Sequence, residues 1–126
     1  MKQEDKELLL VDLYVRLPYG VKIQAKEWAT VDTELKIGHI QRLQYDEIEV
    51  KPYLRPMSSM TEEEIVEFNN IPSTKNYQIV REDLPWDVAN YKQIDWLNTH
   101  HFDYRGLIER GLALEAPDGM YKIKER

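Results

Sequence analysis

The spacing of the apolar residues changes at Pro18 from that of a helix to that of a strand. Before Pro18, apolar side chains recur at i, i+3, i+4 and i+7, which places them on one face of an amphipathic helix predicted over Asp5 to Leu17. They are Leu10, Leu13, Tyr14 and Leu17. After Gly20, apolar and polar residues alternate over residues 21–26, which is the period of a half-buried strand. A helix followed at once by a strand predicts the α+β class.

Two further segments predict strands after the first one. Leu35 to Leu43 has apolar residues on both faces, and Gly38 between them predicts a bulge. Ile48 and Val50 alternate with glutamates and predict a third strand. Short strands with tight connections predict a small curled antiparallel sheet, with an SH3-like barrel as one form that it could take.

The segment from Lys51 to Met60 contains two prolines and leads into the clearest local signal in the chain. Because proline cannot donate a backbone hydrogen bond, we expect extended surface chain here rather than a helix or a central strand. Thr61 and Glu64 then have the spacing of a capping box, with Met60 and Ile65 placed for a hydrophobic staple. A helix is therefore predicted over Glu62 to Asn70.

The remaining sequence predicts one more helix with short segments around it. Asn76 to Arg81 has the brief alternation of an edge strand, and Val88 to His100 has apolar residues at helical spacing. Asp103 is placed to cap a single turn over Tyr104 to Arg110, and Leu112 to Leu114 predicts a short buried strand. Together with the preceding elements, these segments predict one α+β domain over residues 1–126.

Composition excludes several classes of function. The chain of 126 residues has no Cys, which excludes disulfides, thiolate zinc sites and cysteine nucleophiles. Its 17 Lys and Arg against 23 Asp and Glu give a formal net charge of -6, which argues against general nucleic-acid binding through phosphates. No stretch approaches the roughly 18 to 20 apolar residues of a membrane helix, and no signal peptide is visible, so we expect a cytoplasmic protein. We also expect no cofactor and no bound metal.

Three blocks of sequence, in order along the chain, resemble known sequences. The blocks are DLYVRLPYGV at residues 12–21, KPYLRPMSSMT at 51–61, and IDWLN at 94–98 continuing through HHFDYRGLI at 100–108 to Ala116 and Pro117. They cover under half of the chain and resemble a group of short hypothetical proteins of gut anaerobes, often met in prophage and mobile-element regions. The resemblance implies a bacterial mobile-element or phage origin, and it implies no activity.

The densest group of polar side chains runs from Asn98 to Gly106 and contains two imidazoles, a carboxylate, a phenol and a guanidinium. Such groups could form a metal site or an acid–base pair. However, adjacent residues on a helix diverge by about 100°, so His100 and His101 are poorly placed to share one ion. The pattern favours a structural role, with histidines at a helix C-terminus and Asp103 as the cap of the next turn.

Tyrosine and tryptophan outnumber phenylalanine, with eight Tyr and three Trp against two Phe. Both residue types are enriched at interfaces, because their rings are apolar and their polar groups can hydrogen-bond. Some of them, with two arginines, could line a surface for a partner protein or a stacked nucleotide, although packing of the helix against the sheet is the favoured role of Trp96 and Tyr104. Trp86 is a further aromatic candidate. The candidate surface comprises Tyr53, Arg55, Trp96, His100, His101, Asp103, Tyr104 and Arg105.

These observations favour a non-enzymatic protein-interaction module, of bacterial mobile-element or phage origin, with a protein partner. The alternative is a small-ligand or nucleotide-binding protein, such as a viral anti-defence factor. A second alternative is a weak hydrolase that uses His100, His101 and Asp103. If replacing His100, His101 and Arg105 by alanine leaves both the fold and partner capture unchanged, the interface is expected in the stretches that the three blocks leave out, Ala25 to Asp46 or Asn69 to Gln93.

Overall fold

The computed structural model describes residues 1–71 and 91–121, and these residues combine helices with one mixed sheet, which confirms the α+β class. Within them the helices are α1 (Gln3–Arg16), α2 (Ile37–Gln44), α3 (Glu62–Asn69) and α4 (Tyr91–Thr99). The strands are β1 (Lys22–Lys26), β2 (Thr30–Glu34), β3 (Glu49–Pro56), β4 (Phe102–Asp103) and β5 (Leu114–Glu115). The edge strand predicted over 76–81, the start of the helix predicted at Val88, and Trp86 lie outside the described residues.

Helix α1 ends where its sequence predicts, and the face that it turns to the core is partly the predicted one. Pro18 lies in a 3-10 turn after the helix, and Gly20 follows with a φ of 71°, a conformation that glycine adopts without strain. Of the predicted residues, Leu13 is buried and Leu10 and Leu17 pack against the core, but Tyr14 is 49% exposed. The buried stripe includes Leu9 and also Asp12 and Arg16, an ion pair where only apolar residues were expected.

The strand predicted over Leu35 to Leu43 is wrong, since most of it forms α2. Lys36 donates its backbone N–H to Nδ1 of His39 (3.0 Å), and the N–H of His39 donates to the carbonyl of Lys36 (3.0 Å), which starts the helix. Ile40 and Leu43, three residues apart, then face the core together. Gly38 is an ordinary helical residue rather than a bulge.

Strand β3 is the centre of the sheet, which overturns the prediction that residues 51–60 avoid a central strand. It pairs antiparallel with β1 through residues 49–52, parallel with β5 through 53–54 and parallel with β4 through 55–56. Each proline is the last residue of a ladder, Pro52 against β1 and Pro56 against β4, so neither interrupts a ladder in its interior. Strand β2 pairs with β1, and the described sheet is not closed, so the SH3-like barrel is wrong.

Two groups of apolar side chains fill the core. The larger one packs α1, β1, α2 and β3 together with the segment that leads into β5, through residues such as Leu9, Ile23, Ile40 and Leu54. The smaller one lies where α4 meets β4 and consists of Ile94, Leu97 and Phe102, with partly buried side chains from α3 and its preceding turn against it. The side chains proposed as the candidate surface lie at and between these two groups.

Candidate functional site

A buried ion cluster connects α1 to the segment around β4. The carboxylate of Asp12 accepts from Nε of Arg16 (2.7 Å) and from Nε of Arg105 (3.1 Å). Arg16 is fully buried, and its Nη2 donates to the carbonyl of Phe102 (2.7 Å). Because Phe102 lies 86 positions further along the chain, this hydrogen bond fixes the first helix against the C-terminal part of the domain.

Arg55 and Glu64 form a second buried pair, between β3 and α3. Nη1 and Nη2 of Arg55 donate to the two carboxylate oxygens of Glu64 at 2.8 and 2.7 Å, and the guanidinium lies 4.2 Å from the centre of the Phe102 ring. Burial by itself raises the pKa of Glu64, but hydrogen bonds from Arg55 and from the N–H of Thr61 outweigh it and lower the pKa below its usual value. The pair is therefore fully charged at neutral pH.

Glu64 also completes the predicted capping box, which the structure confirms. Its backbone N–H donates to Oγ1 of Thr61 (3.1 Å), while the N–H of Thr61 donates to Oε1 of Glu64 (2.9 Å). One carboxylate thus caps α3 and holds Arg55 of the central strand. The sequence signal identified the first role and missed the second.

Asp103 caps the turn that follows it, as its position predicts. Its two carboxylate oxygens accept from the backbone N–H of Leu107 (2.8 Å) and of Ile108 (3.0 Å). The segment is a series of turns rather than a helix, and Gly111 closes it with a φ of 77°. Both oxygens are therefore occupied by backbone donors.

The two histidines point to different partners. Nδ1 of His100 lies 2.9 Å from the carbonyl of Trp96, and the two rings stack with centres 4.1 Å apart. His101 has a left-handed φ of 64° and stacks on Tyr121 at 3.9 Å, and its buried Nδ1 has no hydrogen-bond partner among the described residues. Burial, and then the positive charge of Arg16, lower the pKa of His101 to about 4. Among residues 1–71 and 91–121 no group of His, Asp or Glu side chains has the arrangement of a metal site.

The tyrosines of this region bridge elements of the fold. The hydroxyl of Tyr121 accepts from the N–H of Lys22 (2.8 Å) and donates to the carbonyl of Tyr53 (2.8 Å), so it links β1 to β3 where their ladder ends. Burial raises the pKa of Tyr121 to about 12. The hydroxyl of Tyr104 donates to Oδ1 of Asn98 (2.8 Å).

All eight residues of the candidate surface are buried or half-buried. Tyr53, Arg55 and Asp103 are buried, and the other five are half-buried. The structure brings them together, but as an internal polar network with five further members that were not proposed for the candidate surface: Asp12, Arg16, Glu64, Asn98 and Tyr121. Of these, the sequence marks Glu64 only as part of a capping box and Asn98 only as the start of the polar group, and the i, i+4 spacing of Asp12 and Arg16 is also visible in it.

An exposed tryptophan lies elsewhere, at the tip of the β1–β2 hairpin. Trp28 is 93% exposed, and Val31 of β2 is 54% exposed. Beside the tip, Glu27 forms an ion pair with Arg42 of α2, so the loop that holds Trp28 is tied to the domain. Sequence reasoning placed no site residue here, although the tip lies in the Ala25 to Asp46 stretch that it set aside for recognition.

Two hollows flank the hairpin tip. A groove of about 170 Å³ between β2 and α2 has a mixed lining: apolar residues Ala25, Ala29, Val31 and Ile48, and polar or charged residues Lys26, Glu27, Thr33, His39 and Arg42. A second hollow, of about 260 Å³, is lined by the carboxylates of Glu27, Asp46, Glu47 and Glu49, and also by Met1, Lys26, Leu43 and Ile48. The tip therefore combines an exposed aromatic ring with a groove of mixed character and an acidic hollow.

A third cavity, of about 310 Å³, lies beside the C-terminal end of β3. It is lined by Arg55, Ser59 and Tyr121, and by the turn over residues 115–119. The guanidinium of Arg55 is already held by both oxygens of Glu64, which leaves it poorly placed to hold the phosphate of a nucleotide.

Comparison of the chain with protein-family models, with curated proteins and with solved structures finds no match. In the part of the chain that the structure describes, no helix has both the length and the apolar character needed to cross a membrane.

Proposed function

We propose that the chain is a non-enzymatic protein-interaction module that contacts its partner through the tip of the β1–β2 hairpin. The observation that carries this proposal is the 93% exposure of Trp28. Tryptophan, with tyrosine and arginine, is enriched among the residues that dominate binding energy at interfaces. We infer that a partner covers this ring.

The attachment of the loop supports the proposal. Glu27, adjacent to Trp28, is held by Arg42 on α2, and the N–H of Glu27 donates to the carbonyl of Ala29 across the loop (3.2 Å). An aromatic side chain on a fixed loop loses little conformational freedom on binding, which favours affinity. The backbone that carries the indole is thus held to the domain.

The contacts of the candidate surface support a structural role for it, which moves recognition to the hairpin. The hydrolase alternative needs a carboxylate that orients a histidine. No hydrogen bond within the described residues joins Asp103 to His100 or His101, and both oxygens of Asp103 accept from backbone N–H groups. We retain the bacterial mobile-element or phage origin and the cytoplasmic location as parts of this proposal.

Site-specific cross-linking tests the proposal. A benzoylphenylalanine placed at position 28 should label a partner in lysate of the source cells, and the same group at Val11, a half-exposed site on α1, should label it far less. The labelled protein, once purified, should bind the wild type at least tenfold more tightly than Trp28→Ala, with Trp28→Phe between them. The proposal fails if labelling at positions 28 and 11 is equal, or if Trp28→Ala binds the purified partner as tightly as the wild type does.

A further inference from the structure

The outer edge of β2 is open for pairing. Among the described residues β2 pairs only with β1, and backbone hydrogen bonds at the two ends of the hairpin show which residues face each other. The N–H of Leu35 donates to the carbonyl of Val21 (2.9 Å), and the N–H of Glu27 donates to that of Ala29 (3.2 Å). In an antiparallel pair, hydrogen-bonded positions alternate with positions whose backbone groups point away.

This alternation identifies the free backbone groups of β2. Between the two ends, the hydrogen-bonded positions are Ile23 opposite Thr33 and Ala25 opposite Val31. The backbone N–H and C=O groups of Thr30, Asp32 and Glu34 therefore point away from β1. They form an unpaired edge of three donors and three acceptors, which is the template for an added strand.

The two faces of β2 differ in chemistry. Val31 and Thr33 line the groove beside α2, whereas Asp32, on the opposite face, accepts a hydrogen bond from the hydroxyl of Tyr53 (2.8 Å). Glu34 shares the face of Asp32 because side chains alternate along a strand. A strand added at this edge would place alternate side chains beside carboxylates and over the groove next to Val31.

Charge decides between the two occupants that an open edge can accept. The region over residues 30–34 carries two exposed carboxylates, those of Asp32 and Glu34, and one exposed cation beside them, Lys36, whose Nζ lies 3.7 Å from Glu34. A second copy of the chain would bring two such regions together and set like charges opposite each other, which is unfavourable. A partner segment with basic side chains would instead meet the carboxylates of Asp32 and Glu34.

We propose that β2 accepts an extended segment of a partner protein as an additional strand, and that basic and apolar residues alternate in this segment. The inference rests on the proposed function, because it names the partner chemistry for the same hairpin. The basic residues lie beside Asp32 and Glu34, and the apolar residues lie over the groove next to Val31. Trp28, at the end of the hairpin, contacts the end of the added strand.

The probe for this proposal is a blocked eight-residue peptide in which lysine alternates with valine. Titrated into the isotope-labelled full chain, it should shift the backbone amide signals of residues 30–34 and slow hydrogen exchange at Thr30, Asp32 and Glu34. A second peptide of the same sequence, N-methylated at alternate residues along one edge, should bind at least tenfold more weakly because it lacks the donors that face β2. A glutamate–valine peptide should not bind measurably.

Variants of the chain provide the matched controls. Thr30→Pro removes one outward N–H without removing a donor to β1, and it should weaken binding of the lysine–valine peptide several-fold, while Thr30→Val should not. Raising the salt concentration should weaken binding because the carboxylates are exposed.

Four other results would overturn all or part of the proposal. Equal binding of the N-methylated peptide would overturn strand addition, and equal binding of the glutamate peptide would overturn the charge assignment. Absence of any shift at residues 30–34 at about 1 mM peptide, the weakest affinity of interest, would overturn the inference as a whole. Self-association through β2 would show that a second copy is the occupant. None of these results affects the outcome of the cross-linking test at Trp28. The strand-addition proposal can therefore fail while the proposed function holds, and the two failures are distinguishable.

Discussion

Replacing Glu64 by alanine should destabilise the fold far more than a cap substitution does. Glu64 and Arg55 have side-chain exposures of only 7% and 9%, and they are joined by two hydrogen bonds. Removing one partner of a buried ion pair leaves the other charge unpaired and costs about 3–5 kcal/mol. Thr61→Ala, which breaks only the cap, should cost about 1 kcal/mol. The difference in the free energy of unfolding between the two variants measures the contribution of the Arg55–Glu64 pair, which the capping-box pattern did not predict.

Urea unfolding followed by circular dichroism at pH 7 measures these costs. With a slope of roughly 2 kcal/mol per molar urea for a domain of this size, Glu64→Ala should lower the midpoint by about 2 M, and Thr61→Ala by about 0.5 M. Glu63→Ala is the matched control, since Glu63 is exposed in the same helical turn and should cost less than about 1 kcal/mol. Equal midpoints for Glu64→Ala and Thr61→Ala would refute the reasoning.

Two further experiments distinguish the contribution of the ion pair to stability from that of the cap. The double variant Arg55→Met with Glu64→Leu should be more stable than Glu64→Ala alone, because no charge is then left unpaired in the core. The pKa of Glu64 is lower in the folded chain than in the unfolded one, so its contribution is complete above the unfolded pKa and is lost as the pH falls through the folded value. The stability gap between the wild type and Glu64→Gln should therefore close in acid.

Three further predictions concern the buried network. Phe102→Ala should lower the free energy of unfolding by about 3–5 kcal/mol, because its fully buried ring joins Arg55 to the smaller core, and calorimetry measures the loss. Arg16→Met leaves the carbonyl of Phe102 without its donor and should cost at least about 3 kcal/mol in urea unfolding; an unchanged midpoint would contradict it. The folded pKa of His101, about 4, lies below its usual 6.5, so the unfolded chain binds the extra proton between these values and stability should fall as the pH drops from 6.5 to 4. His101→Asn, which tolerates the left-handed backbone, should show a smaller fall over that range.

The elements that the sequence predicts correctly are those whose contacts are local. The capping box of α3 involves residues three positions apart, and the turn capped by Asp103 involves residues four and five positions apart. Strand β1 also follows its alternation, with Ile23 buried in the core. In each case the groups that satisfy one another lie within one short window, so the residue types alone identify the structure.

The errors lie where distant residues decide the structure. A stretch of nine residues with four scattered apolar ones, such as Leu35 to Leu43, is compatible with either a strand or a helix. The cap that His39 provides is not one of the usual side-chain signals. The prolines of β3 are harmless only because each ends a ladder, and the positions of those ladders depend on β1 and β4. A rule that considers only the sequence around each proline therefore cannot predict that β3 tolerates both of them.

The same distinction explains why the polar cluster looked like a surface. Arginines and tyrosines are exposed in most proteins, so a dense group of them suggests a binding site unless their partners are known. Here the partners come from α1 and α3: Asp12 lies 93 positions from Arg105, and Glu64 lies nine positions from Arg55, on another element. Once those carboxylates are placed, most of the hydrogen-bonding capacity of the cluster is used inside the fold. Trp28 differs in kind, because its ring is left in water although Glu27 beside it is held by α2. A solvent-exposed aromatic side chain on a loop that is held to the domain is a stronger indication of a binding partner than a larger polar cluster whose members hydrogen-bond to one another.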